Sequence, residues 1–298
     1  MKSALRVVVV ICAIWVSPLL AQADAAADAK QRDILNSLHY QSGEIALAAA
    51  DAHLRVQPGF RYLGHDDARK VLENLWGNPP DDSVLGLLVP DAASLESDHN
   101  WVVVVTYSDD GFVSDDDANK INYTDMLKQM QQAALDANPD RKKDGYPTMQ
   151  LVGWAQPPRY DSSGKRLYWA KELAVEGYDG HTLNYDIRVL GRSGYLSLEA
   201  VSHMQDLALV NDGMAQVLPM AEFDAGHRYA DYKPGSDKLA EYGLAALVGG
   251  GIAAKTGLLA KFGLMLLALK KFVIVAFVAI GAFIKKIFGK KSGGGTVQ

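Results

Sequence analysis

Cysteine is almost absent from this chain of 298 residues. The only one, Cys12, lies in an apolar N-terminal run, and Ile11 before it is not the small residue that a lipoprotein signal carries there. If that run is removed as a signal peptide, the mature protein has no cysteine and can form no disulfide. A domain of this size can be stable through its core alone, so the absence fits a bacterial periplasm.

Motifs for several chemistries are also missing. The sequence has no HExxH, no GxGxxG, no phosphate loop and no GxSxG, and its seven histidines lack metal-ligand spacing. Asp115-x-Asp117-x-Asn119 copies the start of a calcium loop, but Lys120 and Met126 stand where such a loop needs Gly and Glu. An EF-hand is excluded. The sequence therefore predicts no metal, no cofactor and no catalytic residue.

The first 23 residues have the anatomy of a secretory signal peptide. Lys2 and Arg6 precede the apolar run Val7–Val16, and the small-residue cleavage site Ala21-Gln22-Ala23 follows. We therefore expect residues 1–23 to be removed and the mature chain to begin near Asp24.

Charge divides the rest of the chain into two parts. Residues 24–238 contain 20 basic and 34 acidic residues, a net charge of −14, whereas residues 239–298 contain eight lysines and one acid, a net charge of +7. An acidic body repels nucleic acid and anionic headgroups, while a basic tail suits the cytoplasmic face of a bilayer. The sequence predicts an exported domain over 24–238 with no nucleic-acid partner.

Residues 239–290 are apolar and lysine-studded, which predicts a membrane anchor, followed by a flexible tail over 291–298. The run Phe272–Ile284 has 13 residues and reaches only about 20 Å, short of the roughly 30 Å hydrocarbon core. Extending it back to Leu258 gives the length but places two lysines near the middle of the span.

Two other arrangements of the tail stay open: a hairpin that bends at Lys270-Lys271, and a hairpin buried within a soluble oligomer. The positive-inside rule counts lysines close to a membrane segment. Four lysines between Lys285 and Lys291 follow the last apolar run. They favour a single crossing that leaves this cluster in the cytoplasm.

The middle of the chain alternates short strands with helices. Strands are predicted over Glu44–Ala50, His53–Val56, Phe60–Leu63, Val84–Val89, Trp101–Tyr107, Leu151–Gln156, Leu167–Val175, Thr182–Leu190 and Tyr195–Ser202. Helices are predicted over His65–Trp76, Asn122–Ala137 and Asp206–Leu218. Turn residues separate the last four strands, as in antiparallel hairpins. The sequence therefore predicts an α+β fold, an antiparallel sheet with covering helices.

A possible ligand or partner surface combines an acidic loop with aromatic residues of the last strands. Its members are Asp115, Asp116, Asp117, Trp154, Tyr160, Tyr168, Trp169 and Tyr185. Exposed aromatics could stack a sugar, a peptide or an apolar partner, although sheet packing also explains them. The acids, with Asn122, could complement the start of the following helix or form an irregular cation site. Tyr168 and Trp169 are adjacent in a strand and must point to opposite faces.

Several strings resemble a family of bacterial proteins described only as uncharacterised and membrane-anchored, a domain of unknown function. They are Gly111-Phe112-Val113, Asp115-Asp116-Asp117-Ala118, Gly153-Trp154, Pro157-Pro158-Arg159-Tyr160, Leu167-Tyr168-Trp169-Ala170, Leu183-Asn184-Tyr185, Val189-Leu190-Gly191-Arg192-Ser193-Gly194 and Tyr229 to Leu247. The resemblance implies an exported domain with a C-terminal anchor. It brings no activity, so no catalytic residue is carried over.

Two function classes follow from these observations. The favoured one is a noncatalytic interaction or sensing domain in the bacterial periplasm, held at the inner membrane by its tail and binding an envelope protein. The alternative is a periplasmic hydrolase or small-ligand binder whose acids and aromatics converge only in three dimensions. A concave pocket that gathers Asp, His and Tyr side chains would favour the second class.

Overall fold

The computed structural model describes residues 29–78, 80–92, 95 and 101–249. The predicted signal peptide, the anchor beyond residue 249 and the tail over 291–298 lie outside these residues. Among the helices within them, none is long and apolar enough to cross a bilayer. The chain divides into two compact units, 1–38 and 39–298. In the first unit, residues 29–36 form helix α1.

The second unit contains the strands and the remaining helices. The strands are β1 (Tyr40–Gln41), β2 (Gly43–Leu47), β3 (Ala52–Val56), β4 (Phe60–Gly64), β5 (Val84–Pro90), β6 (Val103–Ser108), β7 (Phe112–Ser114), β8 (Met149–Asp161), β9 (Arg166–Val175), β10 (His181–Leu190), β11 (Tyr195–His203), β12 (Ala221–Phe223) and β13 (Leu239–Gly243). The helices are α2 (His65–Arg69), α3 (Tyr123–Asp136), α4 (Asn138–Lys143), α5 (Leu207–Val217) and α6 (Leu244–Gly249).

Eight strands form one antiparallel sheet in the order β1-β4-β5-β6-β11-β10-β9-β8. A second, antiparallel sheet has the order β12-β3-β2, and β13 pairs with β7 in parallel. The α+β prediction with a large antiparallel sheet is confirmed. The predicted strand Glu44–Ala50 is shorter than expected, because residues Ala48–Ala50 turn into a 3-10 helix before Asp51, which adopts a left-handed conformation.

Side chains alternate between the two faces of the main sheet, and each face has its own core. On one face, Leu183, Ile187 and Leu198 pack with α5 and the second sheet. On the other face, Leu167 and Trp169 pack with side chains of α6. The main sheet is therefore a layer between two apolar clusters, and α6 belongs to one of them.

The outer edge of β8 is protected in two ways. α3 lies along its first half, where the Gln131 side chain donates to the Val152 carbonyl at 2.9 Å. Asn138 exchanges hydrogen bonds with the backbone of Met149. In the second half, Pro157-Pro158 offers no N–H groups for another strand. This arrangement positions α3 beside the sheet edge and close to the acidic loop.

Candidate functional site

The acidic loop, Asp115–Asp117, follows β7 and separates its three carboxylates. Asp115 turns inward toward the hairpin between β8 and β9, Asp117 turns toward α6, and Asp116 is exposed. The sequence places these acids together, but the fold assigns each of them different neighbours.

Asp115 accepts hydrogen bonds from three side chains. Its Oδ2 lies 2.7 Å from Lys165 Nζ and 2.6 Å from Tyr160 Oη, and its Oδ1 lies 3.0 Å from Tyr229 Oη. Burial alone would raise the pKa of Asp115, but the hydrogen bonds from Lys165, Tyr160 and Tyr229 outweigh it and lower the pKa below its usual 3.8. The carboxylate is therefore held in its charged form.

The two tyrosines respond in the opposite direction. Burial first, and then the hydrogen bond to the Asp115 carboxylate, raise the pKa of both Tyr160 and Tyr229 well above its usual value. Lys165 Nζ also lies 4.6 Å from the centre of the Tyr229 ring, within reach of a cation–π contact. This cluster holds neutral phenols around a fixed charge pair, which is an arrangement for stability rather than proton transfer.

Asp117 holds the start of α6. Its two carboxylate oxygens each accept a backbone N–H, from Leu244 and Ala245, both at 3.1 Å. Gly243 permits this approach, because a Cβ at that position would lie 2.8 Å from Asp117 Oδ2. A negative charge at the positive end of a helix is stabilising. The acidic loop thus connects the sheet to the helix from which the apolar tail continues.

The helix directly after the loop uses a different residue. Asn122 caps α3, accepting from the N–H groups of Thr124 and Asp125 at 3.1 Å each. Asp117 contacts α6 instead, which comes more than one hundred residues later in the chain. Within the described residues, no group of three or more His, Cys, Asp or Glu side chains could hold a metal ion.

The predicted aromatics divide between the two faces of the sheet. Trp154 is partly buried and donates to the Tyr123 carbonyl at 3.2 Å, which ties β8 to α3. Tyr168 packs against the cluster beside α5, whereas Trp169 lies in the cluster beside α6. Trp169 and Tyr185 are 1% and 4% exposed. Of the eight candidate residues, Asp116 alone is exposed, and a role for the set in binding stays a prediction.

Burial also affects the phenol of Tyr185. It raises the pKa of Tyr185 to about 12. This phenol is therefore neutral at physiological pH and belongs to the core.

A network of four charged side chains on adjacent strands was missed from the sequence. Lys171 lies 3.2 Å from Asp186, and Arg188 lies 3.3 Å from Asp186 and 2.6 Å from Glu199. These residues share the sheet face with Trp169, because Asp186 pairs directly with both Trp169 and Glu199, while Lys171 and Arg188 lie two residues along the strand from Trp169 and Asp186. The spacing of Asp186 and Arg188, two apart in a predicted strand and therefore on one face of it, is the signal that could have indicated the network.

The charged groups of this network are largely shielded from solvent. Burial raises the pKa of Glu199 even though Arg188 opposes this change. Burial works against the charge on Arg188 as well, but Glu199 and Asp186 outweigh it and raise its pKa. Trp169 Nε1 is one of the buried polar atoms that have no hydrogen-bond partner among the described residues, whereas Asp186 Oδ2 lies 3.2 Å from the Lys171 ammonium. The network fixes the register of three strands by pairing charges across them.

Comparisons with known proteins identify a family and little else. Among curated proteins, no sequence matches the chain. Cyanobacterial PsbP (CyanoP) from Synechocystis sp. PCC 6803 has 12% identity and a TM-score of 0.34, covering 63% of this chain and 93% of its own. The Saccharomyces cerevisiae Ran-binding protein Mog1p has 11% identity and a TM-score of 0.30, covering 63% and 96%. Both TM-scores are too low to support an inference about function.

A family model described as "Protein of unknown function (DUF2167)" matches residues 39–281. The match begins at the first residue of the second unit and extends beyond α6 into the apolar tail. It spans most of the chain, which therefore belongs to this family of proteins of unknown function.

Proposed function

We propose that the chain is a noncatalytic envelope protein. It is exported, held at a bacterial inner membrane by its C-terminal apolar segment, and binds a protein partner through its folded domain in the periplasm. The signal-like residues 1–23 and the lysine-studded apolar run beyond Gly249 support the location.

The noncatalytic part of the proposal rests on the hydrogen bonds that the candidate carboxylates already make within the domain. Asp115 is occupied by three donors and Asp117 by two backbone amides. A general acid or base needs a proton position within reach of a substrate and a pKa near the working pH. The pKa of Asp115 is lowered, which moves it further from neutral pH. The carboxylates of Asp115 and Asp117 both serve as hydrogen-bond acceptors within the fold.

Reporter fusions test the location. Alkaline phosphatase fused after Gly249 should be active, because that enzyme folds only after export. Fused after Gln298, it should be silent for a single crossing, while a reporter that works only in the cytoplasm should be active. The opposite pair of results at Gln298 would favour the hairpin. An inactive fusion at Gly249 would refute export.

Isolation of the full-length protein from gently solubilised membranes tests the partner. A protein should co-purify in a fixed ratio, and reversing the exposed charge with Asp116→Lys should lower its yield at least tenfold. Asp179→Lys is the matched control. Asp179 is also exposed, but it lies after the far end of β9, whereas the acidic loop contacts Lys165 just before β9 begins. Equal loss in both variants would contradict binding at the loop. A bound metabolite instead of a protein would favour the ligand-binding alternative.

A further inference from the structure

The second sheet ends at β2, whose outer side has no neighbouring strand among the described residues. In an antiparallel sheet, the backbone groups of successive residues point alternately to the two sides of a strand. The Arg55 N–H donates to the Met220 carbonyl at 2.8 Å, so the backbone groups of Arg55 point toward β12. Those of its neighbour Leu54 therefore point toward β2, where Leu54 lies opposite Ile45. The N–H and C=O of Ile45 are thus directed at β3.

The backbone groups of Glu44 and Ala46 consequently point away from the sheet. Both residues are exposed, and within the described part of the chain neither makes a backbone hydrogen bond beyond the pairing of β2 with β3. β2 also lacks the features that protect β8, because it contains no proline and its register with β3 is regular. β2 therefore presents a row of free backbone donors and acceptors to solvent.

The side chains beside this edge give it a chemical preference. Ile45 is only partly buried and packs against the core cluster beside α5, so an apolar side chain of an added strand would extend that contact. Glu44 lies on the opposite face of β2, with a side chain that is 70% exposed. Its Oε2 lies 3.8 Å from Arg55 Nε, and the same guanidinium lies 3.1 Å from Glu222. Two carboxylates share one guanidinium, which favours a further cation on this face.

We propose that a strand of a partner protein, alternating basic and apolar residues, adds to β2 in the antiparallel direction. Its basic side chains lie on the same face as Glu44, and its apolar side chains lie beside Ile45. Antiparallel pairing continues the pattern of the second sheet and is slightly more stable per residue than parallel pairing. The row of free backbone groups is short, so the charges and the apolar contact supply part of the affinity and the specificity.

A second copy of this chain is a poorer occupant. Pairing of two β2 strands about Ile45 would use only the backbone groups of Glu44 and Ala46, whereas a stable interface buries about 1,200–2,000 Å². Residues 24–238 carry a net charge of −14, so two copies would also repel each other, while a cationic segment is attracted. The inference does not depend on whether the acidic loop binds a partner.

Peptide binding to the full-length protein in mild detergent tests the backbone contacts. The probe is a fluorescent heptapeptide that alternates lysine and valine, with lysine at both ends, and anisotropy gives its Kd. In the proposed pairing the lysines lie opposite Glu44 and Ala46, so their N–H groups point toward β2 and those of the valines point away. Backbone N-methylation of the two inner lysines should raise the Kd at least tenfold. Backbone N-methylation of two valines, which leaves the charge equal, should change it less than twofold.

Variants of the protein separate backbone recognition from charge. Ala46→Pro removes an outward N–H without removing a bond to β3 and should raise the Kd at least tenfold, whereas Ala46→Ser keeps that N–H and should bind like the parent. Glu44→Lys should raise the Kd at least fivefold. Asp179→Lys, the same change of charge in the turn between β9 and β10, should change it less than twofold. Thermal melts followed by circular dichroism confirm that each variant is folded.

Four results would overturn the proposal. The first is failure of the unmethylated probe to bind at millimolar concentration. The second is an equal loss of affinity from the two methylations, or a greater loss from that of the valines. The third is equal weakening by Glu44→Lys and Asp179→Lys, because overall charge would then account for binding. The fourth is dimerisation of the parent in analytical ultracentrifugation that Ala46→Pro abolishes, because a second copy would then be the occupant.

Discussion

Leu244 lies in the segment that the sequence assigns to a membrane anchor, yet its side chain is fully buried in the folded domain. It is 0% exposed and packs in the cluster that contains Trp169 and Val113. Its backbone N–H is held by Asp117. Replacing Leu244 by Ala should therefore destabilise the domain rather than weaken its attachment to a membrane.

The size of the effect follows from burial. Truncating a fully buried leucine to alanine costs about 2–5 kcal/mol, through lost transfer free energy and the cavity that remains. Leu239 provides a matched control in the same segment, because it is 56% exposed. Leu239→Ala should change the free energy of unfolding by no more than about 0.5 kcal/mol.

Urea unfolding followed by tryptophan fluorescence measures this difference in the full-length protein in mild detergent. Four tryptophans lie between Trp76 and Trp169 and none follows Trp169, so the signal reports the domain and not the tail. With a slope of about 2–3 kcal/mol per molar urea, Leu244→Ala should lower the midpoint by about 1–2 M. Identical midpoints for Leu244→Ala and Leu239→Ala would refute the assignment of α6 to the domain.

Three further substitutions test the acidic loop and its neighbouring helix. Asp115→Asn should cost about 1.5–3 kcal/mol at pH 7. The pKa of Asp115 is lowered in the folded state, so its contribution to stability is present above pH 3.8 and is lost as the pH falls through the folded pKa. If urea unfolding showed the same difference between Asp115→Asn and the parent in acid as at pH 7, this reasoning would be contradicted. Asp117→Ala should cost about 0.5–2 kcal/mol and speed hydrogen exchange at the Leu244 and Ala245 amides; unchanged exchange would argue against the cap. Asn122→Ala should cost about 1 kcal/mol in thermal melts, and no loss would deny its role as a cap.

Sequence patterns predicted the helices correctly where capping residues and apolar spacing favour the same structure as the tertiary contacts. The helix expected over Asn122–Ala137 is α3, Tyr123–Asp136, because Asn122 is a strong cap and the apolar spacing is helical. The helix expected over His65–Trp76 is α2, which continues as a π-helix over Lys70–Leu75. Sequence periodicity does not distinguish the wider turn, since it depends on which backbone partner each N–H finds.

The end of the domain was harder to place from sequence. β13 and α6 were predicted to be the start of the anchor, because residues 239–249 carry a single charged residue, Glu241, and lead into an apolar tail. In the structure, β13 pairs with β7, and Leu244 and Leu247 are buried. Hydropathy cannot separate a core segment from a membrane segment when the two are adjacent. The division at residue 238 stays a prediction, and a truncated domain is best ended at Gly249.

The candidate site depended on contacts that are remote in sequence. Asp115 meets Lys165 and Tyr229, which are 50 and 114 residues away, and Asp117 meets Leu244 at a separation of 127. No local pattern encodes such pairings. The run of three acids is visible in the sequence, but the contacts of each carboxylate follow from the elements that surround the loop.

The edges of the main sheet limit how a partner could bind. β1 at one edge has only two residues, and β8 at the other is covered by α3 and interrupted by Pro157-Pro158. The pairing of β8 with β9 also shifts register three times, between Leu151 and Arg159. Strand addition needs a long, regular row of free backbone groups. A partner of this domain would therefore recognise side chains at its surface, such as the exposed carboxylate of Asp116, rather than extend its main sheet.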